Sequence, residues 1–233
     1  MEAQEISITV GGERVSGLFL RPSGAKALYL FAHGAGAGMG HKAMESNAQG
    51  LAARGIATLR YQFPYMEKGS RRPDPPKIAH SAVRAAAAKA LELAPDLPLI
   101  AGGRSFGGRM TSQAQAIEPL PAVRGLAFLG FPLHPAGKPG IERADHLAAV
   151  RIPMLFVSGD RDALAELDLL RRVIADLEPL ATLHLVANAD HSFKVAAKSG
   201  RTSAEAEAEA LDSLAEWISV QDYFPSDPSA AFR

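Results

Sequence analysis

The chain contains no cysteine. That absence removes disulfide frameworks, thiolate zinc sites, iron–sulfur clusters and a Cys nucleophile together. Net charge is missing too: 25 Lys and Arg balance 25 Asp and Glu, so there is no general electrostatic attraction for nucleic acid. No stretch approaches the roughly 18 uninterrupted apolar residues of a membrane span. The start, Met1 to Ile6, has no basic region leading into an apolar run, so no signal peptide is expected. What remains is an ordinary globular balance of 47% hydrophobic and 21% charged residues over 233 positions. Wholesale disorder, collagen and coiled coil are excluded, and a chain of this size buries a substantial core without staples. A soluble, cytoplasmic protein is the expectation.

Two kinds of segment alternate. Short apolar runs occur at 27–31, 56–61, 97–101, 125–131, 152–157 and 182–187. They are apolar nearly throughout, as suits strands of a parallel sheet covered on both faces. Between them lie stretches with helical spacing, such as Leu170, Val173, Ile174 and Leu177, and Leu211, Leu214, Ala215 and Ile218. Met44, Ala48, Leu51 and Ala52 follow a similar track, as do Val83, Ala87, Ala90 and Leu91. Thr202 and Glu205 have capping-box spacing at the start of the last helix, whose Glu205, Glu207 and Glu209 read as a solvated face. The alternation predicts one α/β domain, 1–233, with a mostly parallel, doubly wound sheet. Residues 6–10, Gly11-Gly12 and 15–20 read as an antiparallel hairpin at one edge. Segments 65–76 and 132–145 read as loops from their Gly and Pro content, and the tail 221–233 as loosely ordered.

In an open parallel sheet, ligands bind beyond the carboxyl ends of the strands. After run 97–101 comes Gly102-Gly103-Arg104-Ser105-Phe106-Gly107-Gly108, then a helical stretch. Gly103-x-Ser105-x-Gly107 fits a nucleophile elbow, where a serine projects from a strained turn and its neighbours two places away must lack bulky side chains. A serine hydroxyl needs a base, and the base an orienting acid; for this elbow the chain order is Ser, then Asp or Glu, then His. After run 152–157 come Asp160 and Asp162, and after 182–187 comes Asp190-His191-Ser192. His191 is the expected base. His33 precedes the serine, His41 and His80 fall in helical stretches, His184 lies inside a strand, and His146 lies late in a loop or short helix. His134 follows a strand and is placed at the rim of the site. The residues alone leave Asp160 and Asp162 both open as the acid.

A dinucleotide fingerprint fits poorly: Gly38-x-Gly40-x-x-Ala43 starts several residues past its strand, with no acidic residue ending the next one. There is no Gly-Lys-Ser/Thr phosphate loop, no HExxH, and no Cys/His cluster with metal-ligand spacing. No metal and no cofactor are expected.

Gly103-x-Ser105-x-Gly107, Gly159-x-x-Asp162 and Asp190-His191-Ser192 together resemble the α/β-hydrolase superfamily, over essentially the whole chain. Within it the sequence is similar to the dienelactone-hydrolase-like group. A small bacterial branch of that group is indicated by His33-Gly34-Ala35-Gly36-Ala37-Gly38, Phe63-Pro64-Tyr65-Met66, Pro132-Leu133-His134-Pro135 and Asp190-His191-Ser192-Phe193-Lys194. The resemblance implies an α/β-hydrolase fold and places the acid three residues after the strand-ending glycine, at Asp162. It also implies an oxyanion hole from the N–H groups of Ala35 and Phe106. Dienelactone hydrolases carry a cysteine nucleophile where this chain has Ser105, so their particular substrate does not transfer. Superfamily lids usually enter between the strand ending near Phe131 and the one starting near Ile152. Only about 20 residues join them here, and no large lid is expected.

These features point to a serine hydrolase of small carboxylic esters or thioesters, with Ser105, Asp162 and His191 as its triad. Arg104, His33 and His134 flank the site and are assigned to substrate contact, His33 chiefly by shaping its loop. The rim cations Arg71, Arg72, Lys138 and Lys194 are mixed with Glu67, Asp74 and Asp160, which reads as a solvated surface. The expected partner is a small-molecule ester or thioester, with neither nucleic acid nor membrane involved. Two alternatives use the same residues: a non-catalytic binding or scaffold protein on the hydrolase fold, and an acyltransferase or peptidase with the same triad.

Overall fold

The computed structural model describes residues 1–221 of the chain. The elements run in the order β1 Gln4–Val10, β2 Glu13–Leu20, β3 Ala27–Ala32, α1 Lys42–Ala53, β4 Ile56–Tyr61, α2 Pro64–Glu67, α3 Pro76–Leu93, β5 Leu99–Arg104 and α4 Phe106–Ile117. They continue with β6 Val123–Leu129, a 3-10 helix Glu142–Ala149, β7 Met154–Gly159, α5 Leu167–Asp176, β8 Ala181–Val186, a short 3-10 turn Ala197–Ser199 and α6 Ser203–Gln221. No helix among the described residues is long and apolar enough to cross a membrane.

The strands form one eight-stranded sheet in the order β1-β2-β4-β3-β5-β6-β7-β8. From β4 to β8 every pairing is parallel, while β1 pairs β2, and β2 pairs β4, antiparallel. The expected edge hairpin is therefore present. Its turn residues Gly11 and Gly12 both take positive φ, +57° and +90°, which matches the right-handed twist of the flanking strands.

Side-chain alternation on the continuous apolar strands serves two cores. On β3, Leu28, Leu30 and Ala32 join Val83, Ala86, Met110 and Leu170 from α3, α4 and α5. Ala27, Tyr29 and Phe31 face the other way and pack with Met44 and Leu51 of α1 and Leu211 and Leu214 of α6. The sheet is thus covered on both faces at its centre, which is why β3 to β7 carry no polar side. Alanines line the buried stripe of α3, at 79, 82, 86, 87 and 90, and let that helix lie close to the sheet.

Three expectations are corrected. Segment 65–76 does not start as loop: Pro64 opens the short helix α2, its missing N–H being no loss in a first turn. Segment 132–145 ends in the 3-10 helix from Glu142. The acidic face of α6 is only partly solvated. Glu205 completes the capping box, accepting the Thr202 N–H at 2.6 Å while its own N–H reaches Thr202 Oγ1 at 3.2 Å. Glu207 accepts from Asn47 at 2.6 Å, and Glu209 pairs with Arg201 at 2.6 Å, so both are half-buried and engaged. Beyond Gln221 the tail expected at 221–233 lies outside the described residues. Residues 130–153, between β6 and β7, hold only loop and the 3-10 helix, so no lid domain interrupts the sheet there.

Candidate active site

Ser105 sits between β5 and α4 with φ +51° and ψ −116°, a backbone conformation that a residue with a side chain adopts at a cost of about 1–3 kcal/mol. The turn is possible because two neighbours have no Cβ. One at Gly103 would lie 2.4 Å from the Ala32 carbonyl oxygen, and one at Gly107 2.5 Å from the same atom. Thr111, buried one turn into α4, caps the carbonyl of Gly107 at 2.9 Å and braces the elbow from behind.

The loops after β7 and β8 meet this serine. Ser105 Oγ lies 2.8 Å from His191 Nε2, and His191 Nδ1 lies 2.7 Å from Asp162 Oδ2. Asp162 has no side-chain exposure, and its second oxygen accepts the Leu164 N–H at 2.7 Å. His191 keeps about a fifth of its side chain open to solvent. The contact is close because Gly159, which ends β7, lacks a Cβ; one would sit 2.1 Å from the Ala189 carbonyl oxygen. Asp160, the other acid left open by the sequence, makes no hydrogen bond to His191: its Oδ1 is buried with no hydrogen-bond partner among the described residues.

Ala35 lies in the loop after β3, and Phe106 is the first residue of α4. Neither backbone N–H donates to another group among the described residues, and Phe106, at a helix start, has no intrahelical acceptor. The loop is held from several sides. Gln62, just past β4, accepts the Met39 N–H at 2.8 Å, and Arg60 donates to the Met39 carbonyl at 3.1 Å. Arg60 is fully buried and pairs with Glu45 at 2.5 Å.

His33 lies in the loop it was expected to shape, but not where it could also touch a substrate. It has no solvent exposure; its Nδ1–H donates to the Gly34 carbonyl at 2.8 Å and its Nε2 accepts the Phe63 N–H at 3.1 Å. Burial drives its pKa down to about 4, so the ring stays neutral and ties the loops after β3 and β4 together. Both nitrogens are occupied, which leaves it nothing to offer a substrate. His134 is likewise buried, with Nδ1 on the Pro135 carbonyl at 3.0 Å and Nε2 accepting from Glu166 N at 3.4 Å, across the loop that carries Asp162.

Arg104 does line the cleft beside Ser105, a cavity of about 500 Å³ between the N-terminal ends of α1 and α6. Its guanidinium is largely committed. It donates to Asn47 Oδ1 at 3.1 Å and to the Ser192 carbonyl at 2.9 Å, and stands 5.5 Å from the Phe193 ring centroid. Burial lowers its pKa, opposed by Glu207 and Asp190. Sequence reasoning missed Gln62, Asn47 and Glu207. Gln62 carried a signal, as a polar residue directly after an apolar strand, whereas Asn47 within α1 and Glu207 near the start of α6 had none.

Residues 25–219 match a family described as the alpha/beta hydrolase domain. Among solved structures, the dienelactone hydrolase from Anabaena variabilis is 23% identical, with a TM-score of 0.73 over 94% of this chain and 99% of that one. A lidless a/b serine hydrolase from Xanthomonas campestris is 18% identical, with a TM-score of 0.70 over 93% and 95%. An alpha-beta serine hydrolase homologue from Coxiella burnetii is 17% identical, with a TM-score of 0.69 over 96% and 99%. At these identities the likeness is one of fold. The family match, covering most of the chain, establishes the lineage: this protein belongs to the alpha/beta hydrolase family.

Proposed function

We propose that the protein is a serine hydrolase acting on small carboxylic esters or thioesters, with Ser105 as nucleophile, His191 as general base and Asp162 as the acid that orients it. The observation that carries this reading is the continuous relay from Ser105 Oγ through His191 to Asp162, at 2.8 and 2.7 Å, opening on a cleft. A serine and imidazole at hydrogen-bond distance, with the imidazole held by a buried carboxylate, is the arrangement acyl transfer needs.

Ser105 Oγ adds to the substrate carbonyl while its proton passes to His191 Nε2. The new oxyanion is held by the N–H groups of Ala35 and Phe106, each worth about 10²–10³ in rate at such sites. Asp162 fixes the tautomer with the proton on Nδ1 and stabilises the imidazolium. Collapse expels the alcohol or thiol, which takes the proton from Nε2 and leaves an acyl-Ser105 ester. Water, deprotonated by the same nitrogen, releases the acid and restores the serine.

The test is labelling by a fluorophosphonate, with the modified peptide located by mass spectrometry. The expected result is label on Ser105 in the wild type and none in Ser105→Ala. Well-folded protein that takes no label, or takes it elsewhere, overturns the assignment. Short acyl esters and thioesters offered with alcohol or amine acceptors then separate hydrolysis from transfer by their products.

A further inference from the structure

Gln62 and the motif Phe63-Pro64-Tyr65-Met66, which carry the chain from β4 into α2, supply no member of the relay. They lie instead against the loop that bears Ala35. Three hydrogen bonds join the two segments: the Met39 N–H reaches Gln62 Oε1 at 2.8 Å, the Phe63 N–H reaches His33 Nε2 at 3.1 Å, and the Gly36 N–H reaches the Tyr65 hydroxyl at 3.4 Å. Tyr65 is itself buried and held from behind, its backbone N–H donating to Asp74 Oδ2 at 2.9 Å. Its ring meets that of Phe106 edge-on, with centroids 6.4 Å apart at 86°, and lies 6.0 Å from that of His33. One side chain thus touches both segments whose backbone N–H groups are left free at the nucleophile.

The contact on Gly36 falls at the centre of a turn. Residues 34–37 close on themselves through the Ala37 N–H and the Gly34 carbonyl at 3.4 Å. Gly36 takes φ +75° while Ala35 stays at negative φ, the pattern of a type II turn. Type I and type II turns differ by rotation of the central peptide, here Ala35–Gly36, with the ends of the turn little moved. A glycine accepts either form, so its own backbone does not choose between them. The Tyr65 hydroxyl does, by accepting the N–H of that central peptide. The choice matters to catalysis because the Ala35 carbonyl swings with the peptide. It belongs to the same residue as the free N–H, so its direction sets the field that a negative oxygen meets there.

We propose that Tyr65 is a positioning residue for the oxyanion hole: its hydroxyl holds the Ala35–Gly36 peptide in the type II form, and its ring braces Phe106, the second donor. It acts through these two residues and makes no contact with the reacting atoms. The inference rests on the serine-hydrolase reading, which supplies the oxyanion. It gives the Phe63-Pro64-Tyr65-Met66 motif a task in the reaction, with Asp74 holding the tyrosine in place.

The test compares ethyl butyrate with its thiono analogue, in which sulfur, a weak acceptor, replaces the carbonyl oxygen. The ratio of the two kcat/KM values reads the hole apart from the rest of the fold. Tyr65→Phe keeps the ring and removes the hydroxyl. Its kcat on ethyl butyrate should fall about tenfold with KM little changed, and the oxygen-to-sulfur ratio should fall with it. Gly36→Ala should show the same signature. An added Cβ has open space there, but a side chain at φ +75° drives the peptide toward type I. The double variant should lose no more than Gly36→Ala alone, since both act on one peptide. Unchanged kcat in Tyr65→Phe, a change in KM alone, or equal losses on the two esters overturns the proposal. Fluorophosphonate labelling of the wild type separates this from failure of the reading beneath it. With Ser105 labelled, only the role of Tyr65 is at stake; with Ser105 unlabelled, both fall. Where Tyr65→Phe fails to fold, the ratio in Gly36→Ala decides.

Discussion

The guanidinium of Arg104 donates to the carbonyl of Ser192 at 2.9 Å, so the residue before Ser105 holds the residue after His191. Two loops from different strands are thereby fixed to each other. A third attachment runs from the same guanidinium to Asn47 on α1.

Loss of that strut should misplace the imidazole more than it weakens the cleft. Arg104→Met is expected to lower kcat by about tenfold to a hundredfold, since small misplacements of reacting groups cost rates of that order. KM for a small neutral ester should change less. Steady-state kinetics beside a denaturant curve separate the two effects, and a change in KM alone would make Arg104 a substrate contact.

Asp162→Asn and Asp160→Asn should diverge sharply. The first removes the acceptor that fixes the His191 tautomer, and kcat should fall about 10³–10⁴-fold. The second alters a carboxylate with no hydrogen bond to His191, and activity should remain within a few-fold. Equal losses in both would move the orienting role away from Asp162.

Ser105 is held at φ +51°, so replacing it tests stored backbone strain apart from chemistry. Ser105→Ala keeps the strain and Ser105→Gly releases it. Both should be inactive, with Ser105→Gly more stable by about 1 kcal/mol despite the entropy of an added glycine. Urea unfolding of the pair decides it; equal midpoints would mean that the elbow is not strained.

Stability should fall as the solution is acidified below pH 6.5. His33 has a folded pKa near 4, depressed by burial from an unfolded value near 6.5. The unfolded chain therefore binds the extra proton between those values. Stability is complete above pH 6.5 and declines as pH falls toward 4, by on the order of 3 kcal/mol for this one group. His146 adds to the same window, in the same direction. His33→Asn should flatten the slope of unfolding free energy against pH between 6 and 4.5, and a slope as steep as the wild type would exclude His33 as its source.

Much of this arrangement was legible in the residues. The strand–helix alternation follows from apolar runs too continuous to have a wet face, and the hairpin from Gly11-Gly12. Ser105 and His191 stood out because elbow glycines and chain order are local features. Other points depended on long-range geometry. Strand β5 runs on through Gly102 and Gly103 to Arg104, where propensity argues for an earlier end, because pairing with β3 and β6 overrides it. Strand β6 stops at Leu129, short of the expected Phe131, because Gly130 turns away with φ +70°. The burial of His33 and His134 depends on which loops lie against one another; nothing in their spacing carries that.

The missing Cβ at Gly159 also governs how this scaffold can be altered. With Gly159 pressed against the carbonyl of Ala189, the loops bearing Asp162 and His191 are packed on each other, so lengthening or tilting one would displace the other. Changes of substrate range must therefore come from the other wall of the cleft, where Ala35, Ala37 and Met44 face Ala204 and Glu207 across open space. A library meant to widen specificity belongs at those positions. One that touches 159 or 189 would spend its variants on misfolded protein.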